Sequence, residues 1–223
     1  MIQMEYIAQN VDFCLMLKPI NHITPDLSLS SDIAIVGSSG TPKKINWGTV
    51  IDDHSDIIRF NRAPIDGYEH IVGSKTTLRI VNNHVFDNID ATSEGYTGQP
   101  QYFVRDLRDE RILYIAPDPG PWKRRKENTH WSNIIYLFDY ETTSELKKKY
   151  NYSEKLHMSL GLIIILLCIE SGIKPHLFGF DTMGLERTHY WEERPKAGPC
   201  HDIAKGQNII SKLARENKVE VYK

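Results

Sequence analysis

Hydrophobic positions along this chain fall into short runs separated by turn residues. Ile33-Ala34-Ile35-Val36 is a continuous, mostly β-branched run that ends in Gly37-Ser38-Ser39-Gly40. A strand buried on both faces and closed by a Gly-rich turn has this pattern. Residues 46–52 lead to a second strand, Ile57-Ile58-Arg59-Phe60. Leu78–Val81 reads as a third, and Arg111–Ile115 as a fourth, stopped by Pro117, Pro119 and Pro121. Residues 131–139 are apolar and then turn acidic. Residues 141–150 are polar and helix-favouring, with Thr143 or Ser144 as N-caps. Ser159 and Gly161 lead into a long apolar helix over Leu162–Glu170, ended by Ser171-Gly172. His176–Phe180 is another strand, 182–200 a mobile loop carrying Gly, Pro and charge, Asp202–Glu216 an amphipathic helix, and Val219–Tyr222 a closing edge strand.

Strands alternating with helices predict a single α/β/α domain with a mostly parallel, Rossmann-like sheet. Residues 1–30 lack a clear period and contain Pro19 and Pro25, so they read as an N-terminal arm with a short helix. Residues 31–223 then form the domain, with no internal repeat.

Composition narrows the classes. A chain of 223 residues fits one large domain. A formal net charge of −2 supplies no field to recruit nucleic acid or membrane. Lys123–Lys126 is a local basic cluster, either a solvated loop or a contact for a phosphorylated or acidic acceptor. Cys14, Cys168 and Cys200 are odd in number and lack metal-binding spacing, which suggests a reducing compartment. Cys200 beside His201 has no further support as a nucleophile. No secretory signal is visible, and the apolar runs are too short to span a bilayer. The expectation is a soluble, cytoplasmic protein, with peripheral membrane contact at most.

Ligands of such sheets bind beyond the carboxyl ends of strands, where the strand order switches. Gly37–Gly40 stands at such an end, where glycines admit a ligand and free amides meet a phosphate. Two glycines alone say little, and the GxGxxG dinucleotide pattern is incomplete. The ordered string says more. After the turn come Trp47-Gly48, Ile51-Asp52-Asp53-His54, Ile58-Arg59-Phe60-Asn61-Arg62-Ala63-Pro64, Gly67-Tyr68-Glu69 and Val72-Gly73-Ser74-Lys75-Thr76-Thr77. This set resembles the long sialylmotif of the family 29 glycosyltransferases, the animal-type sialyltransferases. Ser159, Gly161 and Leu177-Phe178-Gly179-Phe180-Asp181 resemble the small motif, and His189-Tyr190-Trp191-Glu192 the third. His201 stands at the histidine of the last. The four blocks appear in family order across most of the chain.

Several positions depart from the family pattern. Ile33 and Gly172 occupy the places of the family's disulfide-forming cysteines, so both halves are missing together. Ser38 replaces the Asn of Gly-Asn-Ser-Gly, and Leu160 the Thr of Ser-Thr-Gly. Gly206 stands where the last motif has Glu.

The resemblance implies a variant GT-A fold. It also implies an inverting transfer of a sialic acid, or a cousin such as Kdo, from its CMP ester to a glycan or glycolipid hydroxyl. Histidine suits the proton transfers because it titrates near neutrality. His201 is then the base on the acceptor hydroxyl; otherwise it is a surface histidine at a helix start. His189 serves the leaving phosphate, or is a loop histidine among aromatics. Tyr190 and Trp191 wall the donor pocket, or anchor the loop; Glu192 orients a histidine, or is solvated. Asn61 donates to phosphate or nucleotide, or caps a turn. Ser38 and Ser39 offer donors. Ser159 and Gly161 start a helix whose N-terminus suits a carboxylate or phosphate, and Ser159 also serves as a plain N-cap. Asp52-Asp53-His54 is not read as a metal signature, and a single-phosphate leaving group needs no metal, so no cofactor is expected. Other Rossmann enzymes, oxidoreductases or methyltransferases, would need an acidic residue near the end of the second strand, where Asn61 sits. A non-catalytic CMP-sugar-binding protein is the remaining alternative; Gly206 favours it, and the two histidines oppose it.

Overall fold

A computed structural model describes residues 18–19, 29–39, 45–61, 63–82, 111–115, 135–138, 140–180, 189–191 and 201–223. The strands are β1 (Lys18–Pro19), β2 (Ile33–Val36), β3 (Asp56–Phe60), β4 (Leu78–Asn82), β5 (Ile112–Ile115), β6 (Ile135–Phe138), β7 (His176–Phe178) and β8 (Glu220–Tyr222). The helices are α1 (Gly48–Asp52), α2 (Glu69–Val72), α3 (Tyr140–Lys149), α4 (Leu160–Glu170) and α5 (Ile203–Arg215).

The strands form one sheet in the order β1-β6-β5-β4-β3-β2-β7-β8. All neighbours are parallel except β1, which runs antiparallel to β6. From β2 to β6 the chain moves steadily one way. It then returns to place β7 on the other side of β2, and β8 beyond it. The switch point therefore lies between β2 and β7.

Alternation along the central strands divides the core between two faces. Ile33 and Ile35 join a cluster with Ile58, Leu78, Ile80 and Leu177 that meets α3, α4 and α5. Ala34 and Val36 join Ile57 and Phe178 in a second cluster that meets α1 and α2. This is the expected three-layer α/β/α arrangement. Leu162–Cys168 of α4 are buried without interruption, so a helix apolar on all sides is sandwiched rather than surface-laid. Gly172, at φ +76°, closes α4 in a left-handed turn. Ile173 N–H donates to Cys168 O at 2.8 Å and Gly172 N–H to Ile169 O at 3.0 Å. The position that carries a family cysteine is here a helix terminator.

Some elements differ from expectation. β6 forms within the stretch that turns acidic at Asp139, because Ile135–Phe138 pair in register with all four residues of β5. α3 begins at Tyr140, so Thr143 and Ser144 lie inside it rather than at its cap. Lys18–Pro19 of the arm add a strand to the sheet edge, and Leu29 is fully buried. The arm's short helix, the Lys123–Lys126 cluster, Cys14, Cys200 and most of 182–200 lie outside the described residues. Among the described residues, no helix is long and apolar enough to cross a membrane.

Candidate active site

The carboxyl ends of β2 and β7 meet at Gly37 and Phe180. Gly37 N–H donates to Phe178 O at 2.7 Å. The Phe180 ring lies where a side chain at Gly161 would sit and, together with the Gly179 carbonyl 2.7 Å from a Cβ at Gly37, closes the space beside Gly37. A Cβ on Gly37 would lie 2.9 Å from Phe180 Cε2, and one on Gly161 2.6 Å from Phe180 Cε1. One aromatic ring thus packs the Gly-rich turn after β2 against the first turn of α4. The Phe60 ring at the end of β3 lies 6.3 Å away, edge-on. The sequence places Phe180 in a strand-end motif and does not mark it as a site residue. Its signal was Leu177–Phe180 itself, an aromatic just past a glycine at a strand end.

Asn61 follows Phe60 at φ 48°, a left-handed conformation that asparagine tolerates better than most residues. Its Oδ1 accepts from Asn82 N–H at 3.2 Å, which fixes the amide and leaves Nδ2 as a donor. Arg79, fully buried within β4, donates from Nη1 to Asn61 O at 2.9 Å and to Ala63 O at 3.4 Å. A buried guanidinium must be satisfied, and here it holds the Asn61 backbone. Arg59 plays the parallel part, donating to Val72 O and Lys75 O at 2.7 and 2.8 Å. Asp52 accepts from the Ser74 and Lys75 amides and the Ser74 hydroxyl, which gives it a structural role in that turn.

The third block joins the Gly-rich turn through backbone. Ser39 pairs with His189 in an isolated antiparallel bridge, and Tyr190 N–H donates to Ser38 O at 3.2 Å. His189 stacks on Trp191, ring centroids 4.3 Å apart. Tyr190 is corrected by the structure. It is 1% exposed, packs edge-on to Tyr68 at 5.3 Å, and its hydroxyl donates to Pro64 O. Burial pushes its pKa up. It anchors the loop and is not a wall of an open pocket, because its ring is enclosed in the second core cluster.

The last block meets α4. Ser159 is the N-cap of α4, its Oγ accepting from Leu162 N–H at 3.3 Å. The first amides of a helix lack partners within it, so those of Leu160 and Gly161 remain for an anion. His201 lies just before Asp202, which caps α5 by accepting from Lys205 N–H at 2.9 Å. His201 Nδ1 is 2.8 Å from His157 O. Tyr152 OH donates to the same carbonyl at 3.1 Å and accepts from Asp202 N–H at 3.0 Å. Tyr152 and His157 escaped sequence reading because they act through a backbone carbonyl, which leaves no motif. Gly206, in the place of the motif Glu, is buried inside α5 and brings no carboxylate. Glu192 lies outside the described residues.

His201 is thus tied to His157, two residues before the α4 cap, Phe180 lies beside Gly161 and Gly37, and Ser39, two residues after Gly37, pairs with His189. A switch point so placed defines a doubly wound α/β domain, the class whose ligands bind beyond the carboxyl ends of the strands. The model of glycosyltransferase family 29 (sialyltransferase) matches residues 16–218, and the chain belongs to that family.

Among curated relatives, the chain is 30% identical over 206 residues to CMP-N-acetylneuraminate-beta-galactosamide-alpha-2,3-sialyltransferase 1 of Mus musculus, covering 85% of this chain and 58% of that protein. It is 31% identical over 209 residues to beta-galactoside alpha-2,6-sialyltransferase 2 of Xenopus tropicalis, covering 82% of this chain and 39% of the relative. The chain thus spans less than two thirds of the length of these relatives. Among solved structures, a mammalian sialyltransferase in complex with Gal-beta-1-3GalNAc-ortho-nitrophenol shares the fold, with TM-score 0.65 at 21% identity over 86% of this chain and 68% of that one. The sialyltransferase CstII from Campylobacter jejuni shares it more distantly, with TM-score 0.51 at 15% identity over 86% of this chain and 79% of that one.

Proposed function

We propose that this chain transfers a sialic acid, or a related 2-keto sugar acid such as Kdo, from its CMP ester to a hydroxyl of a glycan or glycolipid. The observation that carries the reading is the packing of Phe180 against both Gly37 and Gly161. It gathers the Gly-rich turn, the α4 N-terminus and, through their backbone partners, His189 and His201 at one end of the sheet. The relatives named above support the donor class, since their names specify CMP-N-acetylneuraminate or sialyl transfer.

The chemistry follows from the tautomer of His201. Its Nδ1–H donates to His157 O, so Nε2 carries the lone pair. Nε2 takes the proton of the acceptor hydroxyl as its oxygen attacks the anomeric carbon from the face opposite CMP. The bond from that carbon to the phosphate oxygen breaks, and CMP leaves with the electron pair. Inversion results. His189 donates to the leaving phosphate, Asn61 Nδ2 and the Ser38–Ser39 turn hold the nucleotide, and the α4 amides face the sugar carboxylate or phosphate. A phosphate monoester leaving group stabilised by such donors needs no divalent ion, so the reaction is metal-independent. The absence of the family cystine suits a reducing, cytoplasmic setting.

A CMP-sugar-binding protein without turnover is the second reading, favoured by buried Gly206 in place of the motif Glu. Thermal denaturation with CMP, NAD or S-adenosylmethionine tests the shared premise. CMP raises Tm and the other two do not; about 2.7 kcal/mol accrues at a hundredfold excess over Kd. A rise with NAD alone overturns both readings. CMP release in the presence of a galactosyl acceptor then separates enzyme from binder.

A further inference from the structure

The opposite end of the same strands carries a second cluster. Asp32 immediately precedes β2, His54 lies in the turn before β3, and His176 opens β7. One ligand atom from each falls within 4.8 Å of the other two. The strands run parallel, so five residues of rise, roughly 16 Å, separate this cluster from the switch point. It is independent of the transfer site.

We infer that Asp32, His54 and His176 form a binding site for a first-row divalent cation, Zn²⁺ above all. Two imidazoles and one carboxylate are a borderline donor set that suits Zn²⁺ better than Mg²⁺ or Ca²⁺. The set is held as ligands are held. Asp32 Oδ2 accepts from Ser55 N–H at 2.9 Å and Ser55 Oγ at 3.2 Å, which fixes the carboxylate. Asp32 Oδ1 lies 2.5 Å from His54 Nδ1. The His54 and His176 rings stand 4.5 Å apart, and His176 Nδ1 is 3.1 Å from Tyr222 OH. Glu220 adds a second carboxylate, its Oε2 3.7 Å from His176 Nδ1, with Lys174 Nζ 4.0 Å from that oxygen. The His54 side chain is 11% exposed while Asp32 is 45% exposed, so the cluster is anchored below and open above. Ligands on tetrahedral zinc sit about 3.3 Å apart, so the side chains close in by small rotations. The ion takes the place of the direct contact between His54 Nδ1 and Asp32 Oδ1. It ties together three segments distant in sequence, so its effect is on stability rather than on turnover.

The test uses the whole chain, stripped with EDTA and dialysed. Calorimetric titration with Zn²⁺ gives one ion per chain, Tm rises by several degrees, and Co²⁺ yields the intense visible bands of a four-coordinate site. His176→Gln and Asp32→Asn, both at solvent-accessible positions, each weaken Zn²⁺ binding by about tenfold or more and abolish the Tm rise. CMP-sugar turnover is the same in stripped protein and in both variants. Circular dichroism verifies that each variant is folded; if His176→Gln is not, Asp32→Asn and the wild-type Co²⁺ spectrum decide. No saturable Zn²⁺ binding by wild type, or binding unchanged in the folded variants, overturns the site.

Discussion

His201 Nδ1 lies 2.8 Å from the carbonyl oxygen of His157, two residues before the helix cap Ser159. That hydrogen bond sets the ring orientation and, through Nδ1–H, the tautomer of His201, the base of the proposed reaction, and it ties the ring to the segment that leads into α4. Catalysis by a positioned base depends on both.

Tyr152 should be a positioning residue for this base. Its hydroxyl bridges His157 O and Asp202 N–H, on either side of the His201 tether. Tyr152→Phe removes the partner of the half-buried Asp202 amide, at about 1 kcal/mol of stability. It should also lower kcat by about tenfold while leaving CMP affinity within about twofold. A loss of stability with kcat unchanged would reduce Tyr152 to a structural role.

Gly161→Ala should harm both fold and donor binding. The new methyl would press on the Phe180 ring, whose other edge already lies against Gly37. Overpacking of this kind costs about 1–3 kcal/mol, and displacing the ring spreads the turn after β2 from the α4 amides. Urea denaturation and CMP titration should both shift. A variant with wild-type CMP affinity would show that Phe180 does not set the site.

Asp52 gives a pH signature. Burial raises its pKa, but the Lys75 and Ser74 amides and the Ser74 hydroxyl outweigh it and hold the carboxyl below its usual range. Its stabilisation is therefore complete above the usual aspartate range and is lost as pH falls through the depressed folded value. Asp52→Asn should cost about 1 kcal/mol at neutral pH and flatten the acid limb of Tm against pH. Parallel curves for wild type and variant would contradict this.

The parts of the fold that could be read from sequence were those whose physics is local. Ile33–Val36 and Leu78–Val81 are buried on both faces, so their strands appear as unbroken apolar runs. β6 was not readable because its identity comes from pairing with β5, not from its own pattern. In the site, His189, His201, Asn61 and Ser159 stood out through ordered motifs. Arg79, Tyr152, His157 and Phe180 did not, since each acts on backbone or by shape. Tyr190 shows the converse. An aromatic in a loop can wall a pocket or plug a core, and only its burial and the Pro64 contact decide. The Asp32, His54 and His176 cluster has no sequence spacing at all, because parallel pairing of β2 with β3 and β7 creates it.

The most direct test is CMP release from CMP-sialic acid with a galactosyl acceptor, compared among wild type, His201→Ala and His189→Ala, with CMP affinity measured alongside. Wild type should turn over with a rate that falls on the acid side as an imidazolium forms. His201→Ala should lose roughly 10²–10⁴ in rate, lose that acid limb, and keep its CMP affinity. His189→Ala should lose both rate and affinity, because a group on the phosphate acts in the bound state and as charge builds on the leaving oxygen. Near wild-type turnover in His201→Ala would contradict the account and turn attention to Asp202 and Glu192.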